Sequence, residues 1–238
     1  MRFHREAIKI EEAQRRIMLW AAEGPIEKVS LLQSVGRSLA EDVIASHSVP
    51  HFRHSGMDGY AIRSSDSIHA SQQNSIELEV VEEVPCGVIP TQQIRQGTAS
   101  RIMTGASIPD GADAVIMLEM IETIERNGKT YVLIKKELRA GENVADIGVE
   151  ITEGNALIKK GATIGDGEVA ILATFGKSEV TVYKQPTVMI FSTGTELLNL
   201  TDPLQPGKIR NSNSYMVAAQ VHVAGGIPIV MNHIPDDI

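Results

Sequence analysis

Residues 52–61 read FRHSGMDGYA, a run that sets one carboxylate, Asp58, between Gly56 and Gly59. A carboxylate binds a magnesium ion directly or through water, and glycines permit close approaches that a side chain blocks. The same pattern serves an Asx-turn in which Asp58 only caps its own loop. Thr104-Gly105-Ala106, after the apolar SRIM, offers a hydroxyl and backbone amides to an oxyanion, or is a plain strand-ending turn. Ser192-Thr193-Gly194 closes the apolar run PTVMIF, at the kind of strand end where open α/β sheets bind ligands, and phosphate suits it. Glu196, close behind, adds a second carboxylate, and Asp236, past the run IPIVMNHI, a third at the end of a neighbouring strand. Asn211-Ser212-Asn213 opens a helix-like stretch, where an N-cap and free amides can both serve, the amides facing an anion. Lys208 and Arg210 reach a phosphate or merely solvate their loop.

Other residues carry less chemistry. His47, His51 and His54 lie close in sequence but have no carboxylate or cysteine partner at zinc spacing. Met57, Tyr60 and Cys86 read as packing residues, and Asp113 as the fixer of a turn. The single cysteine excludes an internal disulfide framework. A formal charge of -8 argues against nucleic acid as a partner, so any anionic ligand must be met locally. The opening MRFHREAIKIEEAQRR has no apolar core of a signal peptide and no long uncharged apolar run follows, so no membrane partner is expected and the cytoplasm is the expected location.

These residues need elements to hold them. Ile10, Ala13, Ile17, Trp20 and Ala21 recur at helical spacing over residues 10–23, and Gly24-Pro25 stops the helix. Between about 60 and 140, IELEVVEEV, ASRIM, DAVIMLEMIETIE and TYVLIKKEL alternate with turn residues, and Asn127-Gly128 predicts a hairpin, so this stretch reads as antiparallel β. From about Lys184 the pattern is a buried strand, a capped helix and a second buried strand, a βαβ unit. One such unit does not cover both faces of a parallel sheet, so the chain is expected to be a fragment.

Five segments in order, VGRSLAEDV (35–43), SVPHFRHSGMDGYA (48–61), RIMTGASIPDGADAVIMLE (101–119), FSTGTEL (191–197) and GKIRNSN (207–213), resemble the molybdopterin molybdenumtransferase family, to which the gephyrin E domain is related. The resemblance implies an α/β plus β multidomain fold. Residues 1–44 and 141–182 would form an extended linking domain, 45–140 an inserted mostly-β domain, and 183–238 the start of a three-layer α/β molybdopterin-binding domain. It implies a transferase of molybdenum cofactor biosynthesis: adenylated molybdopterin and molybdate are the substrates, molybdenum enters the dithiolene, and AMP leaves with the help of Mg2+. Asp58, Thr104, Glu196 and Asp236 would be catalytic, and Asp58, Glu196 and Asp236 would hold the metal. Ser192, Thr193, Gly194, Ser212 and Asn213 would bind the substrate. A homodimer sharing its site between subunits is implied as well, and other cofactor-biosynthesis proteins are candidate partners.

The chain departs from the family at Ala145-Asp146-Ile147-Gly148-Val149-Glu150, where relatives carry an arginine-rich stretch running into Gly-Glu-Asp, and at Thr195, which replaces an acid. Loss of positive charge beside an anion weakens its binding. A noncatalytic dimeric scaffold, or a degenerate homologue of the insertase, is therefore the alternative reading.

Overall fold

The computed structural model describes residues 7–232 and 234. It divides into two compact units, Ile44–Ala156 and Met1–Val43 with Leu157–Ile238.

Ile44–Ala156 is built on a six-stranded sheet in the spatial order Ala114–Met117, Gly59–Ile62, Thr98–Ile102, Ile76–Val84, Lys129–Ile134, Ile121–Arg126. The strand Gly59–Ile62 is buried along its whole length, because its side chains enter two cores on opposite faces. Tyr60 and Ile62 pack with Leu78, Ile116, Val132 and Ile134, whereas Ala61 packs with Val84, Ile94, Ile102 and Val115. This alternation is what a strand with both faces covered requires. Asn127 and Gly128, at φ of 52° and 74°, form the expected hairpin turn between Arg126 and Lys129.

One pairing differs from the antiparallel expectation. Ile76–Val84 runs parallel to Thr98–Ile102. The connection over 85–97, with Pro85, Pro90 and glycines at 87 and 97, is long enough to carry the chain back to the strand start, as a parallel neighbour demands. A sheet register follows that matters below: Gly59 lies opposite Ile102 on one side and Met117 on the other. The residue before Gly59 and the turn after Ile102 therefore emerge at the same end of the sheet.

In the other unit, Ile26–Ser30 pairs antiparallel with Glu179–Tyr183 over a core of Leu39, Val43, Ile158, Ile164, Leu172, Val180 and Val182. Helix α1 is Ile10–Met18, shorter than its sequence pattern, because Trp20 and Ala21 already bond three residues back. None of its residues is buried, so its apolar stripe has no covering among the described residues. Helix α2 (Asp166–Thr174) starts at Gly165, whose amide donates to the Glu168 carboxylate at 2.9 Å. Thr187–Ile190 and Ile227–Val230 pair in parallel, with α3 (Asn213–Val223) between them in sequence and packed on both. An excursion over 191–212 holds a small parallel pair, Leu197–Leu198 with Ile209–Arg210. No helix among the described residues is long and apolar enough to cross a membrane.

Candidate functional site

Asp58 and Thr104 meet at the sheet end that the register defines. The Thr104 amide donates to Asp58 Oδ1 at 2.7 Å, and the Thr104 hydroxyl donates to the same oxygen at 2.8 Å. Both residues are exposed. The carboxylate thus caps a turn 46 residues away in sequence rather than its own loop. These two donors hold the Asp58 carboxyl below the ordinary carboxylate range, the amide most strongly, then the hydroxyl, with the Arg101 charge acting in the same direction.

The glycines beside Asp58 have separate causes. A Cβ on Gly59 would lie 1.9 Å from the Ile116 carbonyl oxygen, so the neighbouring strand requires glycine there. The expectation that bare backbone faces a ligand at this position is corrected: it faces Ile116. Gly56 donates its amide to the Asn143 carbonyl at 2.9 Å, and its own Cβ position is in ordinary contact distance of that oxygen. The buried Ser55 ties down the loop, accepting from the Met57 amide at 3.2 Å and donating to the Met57 carbonyl. Tyr60 packs as expected, whereas Met57 is exposed.

The Thr104 turn is pinned on several sides. Gly105 has φ +82°, a left-handed conformation suited to glycine, and its amide donates to the Ser55 carbonyl at 2.8 Å. The Ser55 amide returns a bond to Ala106 at 2.9 Å. Arg101 Nη1 donates to the carbonyls of Gly59 at 2.9 Å and Ile102 at 2.8 Å, with its guanidinium 5.5 Å from the centre of the Tyr60 ring. Cys86 donates its thiol to the Thr104 carbonyl at 2.8 Å. Neither Arg101 nor Cys86 stands out in the sequence, since Arg101 is recruited by the antiparallel pairing of Gly59–Ile62 with Thr98–Ile102 and Cys86 by the parallel pairing that sets Ile76–Val84 beside that same strand. Asp113 accepts from the Ser64 amide and, at 2.8 Å, from the Ser64 hydroxyl, and so fixes a turn as its sequence suggests.

The segment that departs from the family pattern runs beside the Asp58 loop. Val144 and Ala145 pair with Ser55 and His54, Gly148 donates to the Pro50 carbonyl at 2.9 Å, and Asp146 Oδ1 lies 3.3 Å from Arg53 Nε. The cation in this neighbourhood comes from residue 53, on the facing segment.

The remaining candidate residues belong to the other unit. Gly194 is buried at φ +142°, and a Cβ there would lie 2.5 Å from Glu196 Oε2, so the glycine makes room for the folded-back carboxylate of Glu196. Ser192 accepts from Asn211 Nδ2 at 2.8 Å, and its carbonyl accepts from the Ile234 amide at 2.8 Å. Thr193 bridges to Ile234 in parallel register. Ser212 and Asn213 are exposed at the start of α3, but the side chain that bonds the helix start is that of Asn211, whose Oδ1 accepts from the Ser214 amide at 3.2 Å. An Asn, a favoured capping type, two residues ahead of the helix is the sequence signal that points to it. Asp236 lies outside the described residues.

The donor set bears on a metal. Among the described residues no group of three or more His, Cys, Asp or Glu is placed to hold one. Asp58 offers a single carboxylate with one oxygen engaged by Thr104. This suits a magnesium ion that takes one or two protein carboxylates and completes its shell with water and substrate phosphate, and does not suit a metal needing a full protein cage.

Comparison with known proteins gives a consistent picture. A family model described as the MoeA N-terminal region (domain I and II) matches residues 8–176. A Bacillus subtilis protein named molybdopterin molybdenumtransferase is 43% identical over 234 residues, 98% of this chain and 54% of its own length. One of the same name from Staphylococcus epidermidis is 44% identical over 215 residues, 90% of this chain and 50% of its own. Two crystal structures of the molybdopterin biosynthesis protein MoeA from Pyrococcus horikoshii align with TM-scores of 0.86 and 0.82 at 33% and 37% identity, covering 98% and 90% of this chain and 58% and 56% of theirs. The chain spans about half the length of the curated relatives it matches.

Proposed function

The chain belongs to the MoeA family, and from that premise we propose that the protein acts in molybdenum cofactor biosynthesis, as a molybdopterin molybdenumtransferase. The observation that carries the reading is the 43% identity, across nearly the whole chain, to a relative of that name. The finer proposal is that molybdenum from molybdate enters the dithiolene of adenylated molybdopterin while the phosphoanhydride is cleaved and AMP leaves.

The roles follow from the chemistry of each group. Asp58 supplies a carboxylate held ionised and fixed by Thr104, ready for a cation or a substrate donor. Glu196 and Asp236 are the further carboxylates, and Ser192, Thr193, Gly194, Ser212 and Asn213 offer hydroxyls and amides to phosphate. A magnesium ion, when bound, supplies positive charge that polarises the phosphoanhydride. The homodimer and a cytoplasmic location are parts of the same proposal.

The test is saturable binding of adenylated molybdopterin in the presence of magnesium. Binding that Asp58→Asn weakens supports the enzyme. Absence of saturable binding by the complete cellular protein leaves the scaffold reading, which the altered segment 145–150 favours.

A further inference from the structure

Every polar group of Thr104 has a partner. Its amide and hydroxyl go to Asp58, and its carbonyl accepts the thiol of Cys86 at 2.8 Å. The next peptide is fixed from the far side, since the Gly105 amide donates to the Ser55 carbonyl at 2.8 Å. The thiol therefore holds one plane of the turn, the Thr104–Gly105 peptide, while Asp58 engages the group just before it.

We propose that Cys86 is a positioning residue for the proposed molybdenum transfer: its thiol orients the Thr104–Gly105 peptide and through it the Thr104 donors that fix Asp58. This rests on the functional reading above for its consequence in catalysis, but its structural part stands alone. Cys86 sits just beyond the strand Ile76–Val84, and that strand runs parallel to the one that leads into Thr104. The Met103 amide bonds the Val84 carbonyl at 3.4 Å, so thiol and turn are carried on adjacent, registered chains. A Cβ on Gly105 would lie 3.6 Å from Sγ, which puts the sulfur in contact range of the turn's backbone. The thiol is exposed and unpaired with any other cysteine, so its removal opens no buried cavity. Its contribution is orientation, to which rate is sensitive, more than packing.

A serine at 86 keeps a hydroxyl donor where alanine keeps none. The experiment compares wild type, Cys86→Ala, Cys86→Ser and Asp58→Asn by amide NMR and by AMP release from adenylated molybdopterin with molybdate and magnesium. In Cys86→Ala the Thr104 amide proton, shifted downfield by its bond to Asp58, moves upfield; kcat falls about tenfold with KM unchanged. Cys86→Ser returns both toward wild type, and the melting temperatures of wild type and the two Cys86 variants are alike. An unmoved Thr104 amide in Cys86→Ala, or a serine variant no better than alanine, overturns the inference. A wild-type protein that releases no AMP while the Thr104 amide responds as described overturns the functional reading instead and leaves the positioning of the turn by Cys86 established.

Discussion

Thr104 gives two donors to one oxygen of Asp58, and this settles the charge of the carboxylate. A carboxyl whose folded pKa is depressed adds stability that is present above its unfolded value and is lost as pH falls through the folded one. Thr104→Val deletes the hydroxyl donor and keeps the amide. The Asp58 carboxyl then rises part of the way toward its ordinary value of 3.8, as a carbon-13 titration of its side chain would read, and the stability lost on acidification becomes smaller and is fully lost by a higher pH. An unchanged titration would show that the hydroxyl does not reach the carboxylate. At this scale the sequence revealed the participants but not their relations. Asp58 and Thr104 carry the right chemistry by type, yet their bond joins positions 46 residues apart. The need for Gly59 is set by the Ile116 carbonyl of a neighbouring strand, which no local pattern discloses.

Strands and turns were legible where their cause is local. The Asn127-Gly128 turn is written in its dipeptide, and Ile76–Val84 in its β-branched, alternating residues. The parallel pairing of that strand with Thr98–Ile102 was not, because a crossover and a hairpin loop both show only as turn residues. Helix α1 reads too long in sequence because its apolar spacing continues past Met18, where the backbone tightens. The glycines give opposite expectations at this scale. Gly59→Ala forces a Cβ to 1.9 Å from a backbone oxygen and is expected to destabilise by about 3 kcal/mol. Gly167→Ala, within α2, meets nothing within 4 Å and is expected to stabilise by about 0.5 kcal/mol. Urea unfolding of both variants checks the pair, and equal effects would contradict the assigned contacts. In the core of the other unit, Leu172→Ala is expected to cost about 3 kcal/mol by the same measurement, since Leu172 is 1% exposed among close-packed neighbours.

The whole chain places its candidate residues on two units, Asp58 and Thr104 on Ile44–Ala156, and the Ser192–Glu196 turn and the start of α3 on the other. Family membership was legible from five ordered segments of sequence, because such segments preserve turns and strand ends, the places where ligands are held. Cys86 and Arg101 were not legible, since their roles exist only once distant strands are side by side. The proposed assembly makes a further prediction: sedimentation of the complete protein gives twice the mass of its chain, and a monomer at working concentration would contradict a shared site. The most direct test of the central claim is the rate of AMP release from adenylated molybdopterin, with molybdate and magnesium, by wild type and by Asp58→Asn of matched melting temperature. The account predicts a loss of at least about a hundredfold in kcat for the variant; turnover within a factor of about two of wild type would contradict it.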